Sequence, residues 1–216
     1  MAKVIELNKS ITDFADRDAQ ELRESLKNKG ILLVNVMSSP GSGKTTLLSR
    51  TITDMGKEVP IAVLEADIES DVDAEHIESL GAVALQVHTD GMCHMDAGMT
   101  ARGLEEMELE GIRLAFLENV GNLICPAEFD TGAHKNIMLL SIPEGDDKPL
   151  KYPLMFSMAD ALLITKTDAA EYFNFNMDLC KERVRKLNHD IEIFPVSAET
   201  GDGMEAWENW LRGNLF

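Results

Sequence analysis

The segment of residues 31–46 constrains the fold more than any other, because an apolar run leads directly into a glycine-rich loop and then into a helical pattern. The run 31–37 is followed by Ser-Ser-Pro-Gly-Ser-Gly-Lys-Thr-Thr at 38–46. In that setting, glycines let successive backbone N–H groups turn towards bound phosphate, and the start of the next helix adds its positive end. The segment therefore predicts a P-loop, a phosphate-binding turn between a strand and a helix.

Two side chains of this loop have specific roles in the predicted site. Lys44 reaches the β and γ oxygens of a nucleotide, and the Thr45 hydroxyl ligates Mg²⁺. Ser38 stands where the strict P-loop pattern has glycine. P-loops serve ATPases, GTPases and small-molecule kinases, so the motif alone leaves the class of reaction open. The residues predicted to contact the phosphates are Gly41, Ser42, Gly43, Lys44, Thr45 and Thr46.

Seven short apolar runs predict the architecture around this loop. They are apolar almost throughout rather than alternating, as expected when helices cover both faces of a parallel sheet. The fold class is therefore α/β, a doubly wound, mostly parallel seven-stranded sheet, whose ligands bind beyond the carboxyl ends of the strands. The predicted strands are residues 31–37, 61–66, 82–87, 112–118, 136–142, 161–165 and 191–196, with helices between several of them, such as 45–55 and 97–107.

The length of the chain predicts one compact unit, since 216 residues compare with roughly 150 per domain. Before the first strand, residues 10–29 show apolar positions at helical spacing, which predicts an amphipathic helix. We therefore expect an N-terminal helical segment, residues 1–30, and a P-loop domain, residues 31–216. The apolar positions of the predicted helix are Ile11, Phe14, Ala15, Leu22 and Leu26.

The charge balance excludes two classes of partner. Twenty Lys and Arg against 38 Asp and Glu give a net charge of −18, which repels phosphate backbones and anionic lipid. No apolar run approaches the roughly 18 residues of a membrane span. We therefore expect neither nucleic acid nor membrane as a partner.

The N-terminal residues and the cysteines predict the location of the protein. The first residues lack an export pattern, and the three cysteines cannot form a closed set of disulfides. We therefore expect a cytoplasmic protein.

The loop after the strand 161–165 is typical of a guanine-binding site. A carboxylate at Asp168 can accept from both guanine N1–H and its exocyclic amine, whereas adenine lacks these donors. Lys166 can lay its aliphatic stem along the base, and Ser197-Ala198 follows the last strand, where a backbone N–H can reach guanine O6. Thr165 stands where the common GTPase pattern has Asn. The alternative interpretation of Asp168 is an ordinary helix cap.

Acidic residues at two strand ends predict the magnesium side of the site. Asp67 follows the strand 61–66, and Glu118 ends the strand 112–118. Either carboxylate can hold Mg²⁺ directly or through water, with Asp73 acting in the same loop as Asp67. The Gly121 N–H can sense the γ-phosphate, so both loops are candidate switches. Solvated surface residues or helix caps remain the alternative for each single carboxylate.

Two cysteines and a histidine also lie in loops at carboxyl strand ends. They are Cys93-His94, after the strand 82–87, and Cys125, which precedes Pro126. Two thiolates and one imidazole suit zinc or nickel, but three ligands leave the coordination incomplete. Water, a further residue or a second subunit across a two-fold interface would have to contribute. Cys180 continues a helical apolar stripe and is predicted to belong to the core.

Four stretches of this chain resemble the hydrogenase nickel-incorporation GTPases, the HypB family, of the same broad class as the urease accessory protein UreG. The resemblance covers nearly the whole chain, and the Glu-Asn-Val-Gly-Asn-Leu-Ile-Cys-Pro stretch is the most specific. UreG-like proteins instead carry a Cys-Pro-His metal motif. The matching stretches are residues 39–46, 93–96, 118–126 and 144–149, with Tyr152-Pro153 beyond.

The resemblance implies a GTPase of the SIMIBI-like G-domain type that binds GTP or GDP with Mg²⁺ and dimerises around GTP. It implies that Cys93, His94 and Cys125 carry Ni²⁺ or Zn²⁺ between the subunits. It further implies nickel delivery to the large subunit of [NiFe] hydrogenase together with the accessory protein HypA. In that family Asp67, Asp73 and Glu118 belong to the switch and magnesium region, and Lys166 and Asp168 to base recognition.

The spacing of the switch and the thiols suggests a mechanism. Cys125 lies only four residues beyond Gly121, so loss of the γ-phosphate can move a metal ligand. Turnover should be slow, because no catalytic glutamine or arginine finger is evident. Competing hypotheses are a UreG-like role in urease maturation, a small-molecule P-loop kinase, and a metal-binding module that uses nucleotide only for structural support.

Overall fold

The fold is built on one sheet of seven parallel strands. The computed structural model describes residues 7–67, 72–89 and 91–216, and the side chains of residues 16–66, 74–89 and 91–216. The strand order is β3-β2-β4-β1-β5-β6-β7, and each neighbouring pair is parallel. The strands are β1 Leu32–Ser38, β2 Ile61–Asp67, β3 Val83–His88, β4 Leu114–Glu118, β5 Lys135–Ser141, β6 Ala161–Thr165 and β7 Glu192–Pro195.

These strands confirm the predicted α/β class, and each lies within about two residues of its predicted position. The two predicted intervening helices are also found, one starting a residue earlier and the other ending two residues earlier than expected. The α-helices of the described residues are α1 Leu7–Asn28, α2 Lys44–Met55, α3 Val72–Ser79, α4 Ala97–Glu105, α5 Lys148–Lys151, α6 Pro153–Met158, α7 Met177–Leu187 and α8 Met204–Asn214.

Helices cover both faces of the sheet, as the unbroken apolar strands require. Helices α2, α3 and α8 pack on one face, where Trp207 is fully buried and its indole N–H donates to the Thr51 hydroxyl at 3.1 Å. On the other face, α1 and α4 cover β1, β2 and β4, and α6 and α7 cover β5 and β6. At about 25 cal/mol per Å² of apolar surface, this burial on two faces is the main stabilising contribution.

The predicted N-terminal helix is present as α1 and is fastened to the sheet near its end. Leu26 is buried and Leu22 packs partly against the same core, whereas the side chains of Ile11, Phe14 and Ala15 lie outside the described residues. The Arg23 guanidinium donates to the Ala133 carbonyl at 2.9 Å. The proposed boundary between a segment 1–30 and a domain 31–216 stays a prediction.

The loops that carry the predicted site follow the carboxyl ends of β1, β2, β3, β4 and β6, and therefore meet at one edge of the sheet. We call this side of the molecule the nucleotide edge. The central position of β1, between β4 and β5, places its loop in the middle of this edge. Among the described residues, no helix has the length and apolarity needed to cross a bilayer.

Candidate functional site

The loop after β1 has the backbone of a phosphate cradle. Gly41 and Gly43 adopt left-handed conformations, with φ of +75° and +94°, which glycine reaches without steric cost. Gly43 is the N-cap of α2, and no side chain caps the first turn of that helix. The N–H groups of the first turn are therefore not capped by a side chain, and they are the groups that bind an anion at a helix N-terminus. This backbone fits the phosphates of a nucleotide.

Glu144, which follows the neighbouring strand β5, holds this loop in place through hydrogen bonds. One of its carboxylate oxygens accepts from the Ser42 hydroxyl at 2.7 Å and from the Ser141 N–H at 2.8 Å, and the other accepts from the Ser39 hydroxyl. Thr165 adds a second brace, because its buried hydroxyl donates to the Ser42 carbonyl at 2.7 Å. Sequence reasoning placed Glu144 in a family motif but assigned it no role, since nothing in the spacing showed that it contacts the loop.

Two predicted magnesium ligands come together at the bottom of the nucleotide cleft. The Thr45 hydroxyl donates to Glu118 Oε1 at 3.1 Å, and Lys44 Nζ lies 3.3 Å from the Ser38 hydroxyl. Both groups line a cleft of about 320 Å³. Hydroxyl and carboxylate oxygens are the donors that Mg²⁺ prefers, so this pair fits the ion. Asp67 ends β2 and Asp73 lies in α3, but their side chains lie outside the described residues.

Glu65 is a wall residue of this cleft that sequence reasoning missed. It is 3% exposed and sits beside Glu118 in register on the neighbouring strand. A carboxylate inside an apolar strand is the signal that could have found it, because charged side chains are seldom buried without a reason.

The loop after β4 closes over the P-loop at Gly121. A Cβ atom on Gly121 would lie 3.0 Å from Pro40 N and 3.1 Å from Pro40 Cα, so a larger residue here would push the two loops apart by a few tenths of an ångström. Gly121 is therefore in position beside the phosphate loop, as expected of a residue that senses the end of the nucleotide. Asn119, two residues earlier, is completely buried.

The predicted base-binding residues also meet at the nucleotide edge. The Ser197 hydroxyl donates to Asp168 Oδ1 at 2.5 Å, and its oxygen accepts from the Thr200 N–H at 3.1 Å. Lys166, in a left-handed conformation, directs its ammonium group to the Gly41 carbonyl at 2.7 Å. The Ala198 carbonyl accepts from Arg50 at 3.3 Å. Asp168 is thereby oriented at the end of β6, close to the phosphate loop.

The structure brings the two predicted thiol ligands together. The pKa of Cys125 is raised above its ordinary value, mainly by a hydrogen bond with Cys93 and to a lesser extent by burial. Asn122 positions this thiol, since its side-chain amide donates to Cys125 Sγ at 3.6 Å and its oxygen accepts from the Ile124 N–H at 2.8 Å. Two adjacent thiols release protons when a divalent metal binds, so metal affinity at this pair rises with pH.

His94 lies at the same place but faces an aromatic ring. Its imidazole stacks on Phe129, with ring centroids 3.6 Å apart, and its Nδ1 is 3.9 Å from Cys93 Sγ. Within the described part of the chain, no three His, Cys, Asp or Glu side chains are grouped so that they could hold a metal ion. The two thiols are therefore adjacent, whereas the His94 ring is turned to Phe129, and the three predicted ligands are not grouped as a metal site in the described residues.

Exposed apolar side chains flank these thiols. Met92 and Ile124, the chain neighbours of Cys93 and Cys125, are 41% and 57% exposed, and Phe129 is 40% exposed. Cys180, in contrast, is buried in α7 as predicted, and burial raises its pKa to about 12. A thiol of that kind stays protonated and unreactive at neutral pH.

Comparisons with known proteins agree with this arrangement. The sequence model of the family described as CobW/HypB/UreG, nucleotide-binding domain, matches residues 32–195. Hydrogenase maturation factor HypB of Azotobacter chroococcum mcd 1 is 44% identical over 211 residues, which are 97% of this chain and 69% of that protein.

Two crystal structures share the fold closely. HypB from Helicobacter pylori, solved in complex with nickel, matches with a TM-score of 0.87 and 39% identity, over 92% of this chain and 94% of that one. HypB from Archaeoglobus fulgidus matches with a TM-score of 0.87 and 36% identity, over 93% and 98%. The fold, the family model and these relatives all give the same assignment. The chain belongs to the CobW/HypB/UreG family and, within it, to the HypB proteins.

Proposed function

We propose that this protein is a GTP-hydrolysing metallochaperone that binds nickel or zinc and assists nickel insertion into [NiFe] hydrogenase. The relatives named as hydrogenase maturation factors, and the nickel complex of the relative from Helicobacter pylori, support the assignment. The observation that carries it lies in this chain: one short segment, residues 118–125, joins the floor of the nucleotide cleft to the thiol pair. The nucleotide cleft and the thiol pair are therefore connected by one continuous segment of the chain.

The residues of the cleft have separable tasks. Lys44 neutralises charge on the β- and γ-phosphates, and the backbone from Gly41 to Thr46 fixes their position. Thr45 and Glu118, with Asp67 at the end of β2 and Asp73 in α3, are the proposed ligands of Mg²⁺. The ion, when bound, neutralises charge that develops on the phosphate oxygens. Slow turnover is expected because the described cleft presents no glutamine or arginine beside Gly121.

Asp168 supplies the preference for guanine. The hydrogen bond from Ser197 fixes one carboxylate oxygen, and the carboxylate can then accept from both donors on the Watson–Crick edge of guanine. Adenine presents an acceptor in that position and leaves the carboxylate unpaired, which costs several-fold or more in affinity. GTP and GDP are therefore the proposed nucleotides.

The thiol cluster is the proposed cargo site. Cys93 and Cys125 provide two soft ligands and His94 a third, once its ring turns from Phe129. Because three ligands are incomplete, the remaining coordination is proposed to come from a second copy of the chain in a GTP-dependent homodimer. The exposed Met92, Ile124 and Phe129 around the thiols support such an interface. A HypA-like accessory protein and the hydrogenase large subunit are the proposed partners, in the cytoplasm.

The decisive experiment is a nickel and zinc titration of the reduced protein loaded with Mg-GDP or with a non-hydrolysable Mg-GTP analogue. The mass of the complex is followed in each sample by light scattering. Cys125→Ser should abolish tight binding, whereas Cys180→Ala, which removes the buried thiol of α7, should leave it unchanged. A metal site whose affinity or stoichiometry differs between the two nucleotides supports a GTP-gated carrier. Identical isotherms in both states would leave a GTPase whose thiols serve another purpose.

Two alternatives are separated by further readouts. The relative from Helicobacter pylori carries the name hydrogenase/urease maturation factor, so apo-urease is a second client to test beside apo-hydrogenase. A small-molecule kinase would consume GTP only with an added acceptor. Phosphate release from GTP without any acceptor therefore counts against the kinase.

A further inference from the structure

A buried amide, Asn119, connects the metal loop to the frame of the nucleotide site. Asn119 follows β4 directly and precedes the switch residues Val120 and Gly121. Its side-chain oxygen accepts from the Val120 N–H at 2.9 Å and from the Met95 N–H at 3.2 Å. Met95 lies two residues after Cys93 and is completely buried. One oxygen atom thus holds the backbone of the metal loop and the backbone of the switch together.

The other groups of Asn119 fix it to the centre of the sheet. Its backbone N–H donates to the Val36 carbonyl at 3.0 Å, and its side-chain N–H donates to Asn35 Oδ1 at 3.0 Å. The side chain of Asn35 in turn donates to Asn136 Oδ1 at 2.9 Å on β5. Asn35 is also buried. A row of amides therefore crosses β5, β1 and the end of β4, and a satisfied buried network of this kind is rigid.

The two cysteines differ in how they are held. The Cys93 loop is tied to this row through Met95, and it is tied again at Asp96, which caps α4 by accepting from the Met99 N–H at 2.8 Å. Cys125 instead follows Gly121, whose Cα lies against Pro40 of the phosphate loop. A shift of Gly121 away from the phosphate loop therefore moves Cys125 relative to a Cys93 that stays with the sheet.

We infer that Asn119 is the positioning residue that makes metal affinity depend on the nucleotide: it anchors the Cys93 loop, so that displacement of the switch changes the separation of Cys93 and Cys125. This inference rests on the proposed function, in which both thiols bind the metal. Without the Asn119 side chain, the Cys93 loop loses its link to the amide row at the centre of the sheet and is freer to follow Cys125. Metal binding then persists, but its dependence on the nucleotide is lost.

The test measures nickel affinity by competition with a chromogenic chelator, in Mg-GDP and in a non-hydrolysable Mg-GTP analogue. The ratio of the two dissociation constants is the coupling factor, for which about 5- to 150-fold is the usual range in coupled proteins. We expect Asn119→Ala to bring this factor close to 1. Nucleotide affinity, followed with a fluorescent GDP, should change by no more than about threefold. By linkage, the effect of nickel on nucleotide affinity should vanish in the same variant.

Two further variants separate anchoring from general loss of packing. Asn119→Asp keeps the oxygen that faces Met95 and Val120 but replaces the N–H that donates to Asn35 with a second acceptor, so it should destabilise the protein and still retain the coupling. Asn35→Ala removes the acceptor of the Asn119 side-chain N–H but leaves the Asn119 oxygen on Met95 and the backbone bond of Asn119 to Val36, so it should lower the unfolding temperature and reduce the coupling less than Asn119→Ala does. If Asn119→Ala does not fold, Asn119→Ser is used, since its hydroxyl is too short to reach Met95.

Each outcome has a distinct meaning. A wild-type protein that binds nickel equally in both nucleotide states overturns the proposed gating, and with it this inference. A coupled wild-type protein whose Asn119→Ala or Asn119→Ser variant is equally coupled overturns the inference alone. Equal loss of coupling in Asn35→Ala also overturns it, because the effect then belongs to the packing of the sheet.

Discussion

At the scale of single residues, Asp168 is the side chain for which the sequence supports the most specific chemical prediction. Its type and its place after an apolar strand suggested a guanine acceptor, and the structure orients it through Ser197. We expect Asp168→Asn to weaken GDP binding by about 100-fold, since two charge-assisted hydrogen bonds are replaced by one acceptor and a repelling donor. Binding of xanthosine diphosphate, which has a carbonyl in place of the amine, should improve. Calorimetry with both nucleotides is the measurement, and an unchanged preference for GDP contradicts the assignment.

His134 is a residue whose role could not be predicted, because its partners lie about a hundred positions away in the sequence. Its Nδ1 accepts from the Leu33 N–H at 3.0 Å and its Nε2–H donates to the Arg23 carbonyl at 2.8 Å, so the neutral ring ties α1 to β1. Burial, with the nearby charges of Arg23 and Lys27, lowers the pKa of His134. Protonation would break the bond from Leu33.

The free energy of unfolding should therefore depend on pH through His134. Its folded-state pKa lies below the unfolded value of about 6.5, so the unfolded chain binds the proton more readily. The stability contribution is complete above pH 6.5 and declines as the pH falls below it, towards the folded-state pKa. Urea unfolding at half-unit steps from pH 7.5 to 5.5, with chelator present, measures the slope. His134→Gln should flatten it, and His189→Gln, at a side chain 94% exposed, should leave it as it is.

At the scale of elements, the strands were predictable because each is buried on both faces and so is apolar throughout. The phosphate loop was predictable because its glycines have a conformational requirement that the structure shows, with positive φ at Gly41 and Gly43. Contacts between elements were not predictable in this way. The hydrogen bonds from the phosphate loop to Glu144 join positions more than 100 residues apart in the sequence. A local sequence pattern contains no information about contacts at such separations.

The Glu144 brace leads to a prediction about nucleotide affinity. We expect Glu144→Ala to weaken GDP binding about tenfold, because the phosphate loop loses the acceptor that fixes Ser39 and Ser42, and about 1.4 kcal/mol is the net value of one hydrogen bond of this kind. Asp147→Ala is the matched control, since Asp147 lies three residues further on and forms an exposed ion pair with Lys151. Fluorescent GDP titration compares the three proteins. Equal affinities would show that the loop holds its shape without Glu144.

At the scale of the whole molecule, exposed apolar side chains gather on the side that carries the site. Ile124 is 57% exposed beside Cys125, and Leu150 and Leu154 are 64% and 50% exposed on α5 and α6. Helix α6 packs against the short helix Cys125–Ala127, so the element that carries Leu154 adjoins the element that follows Ile124. Large apolar groups that share one face are typical of a surface that binds another protein. This face is the expected contact between copies of the chain.

The net charge of −18 sets the conditions for that contact. Two copies repel each other, and salt screens the repulsion, so the proposed GTP-dependent dimer should strengthen as ionic strength rises. Leu154→Glu should raise the dissociation constant of the dimer at least tenfold, because it places a charge in an apolar contact. Leu187→Glu, at another exposed leucine, is the control at the end of α7. Sedimentation velocity at two salt concentrations, with a GTP analogue bound, measures both effects. A dimer that weakens with salt, or that tolerates Leu154→Glu, forms through a different and more polar surface.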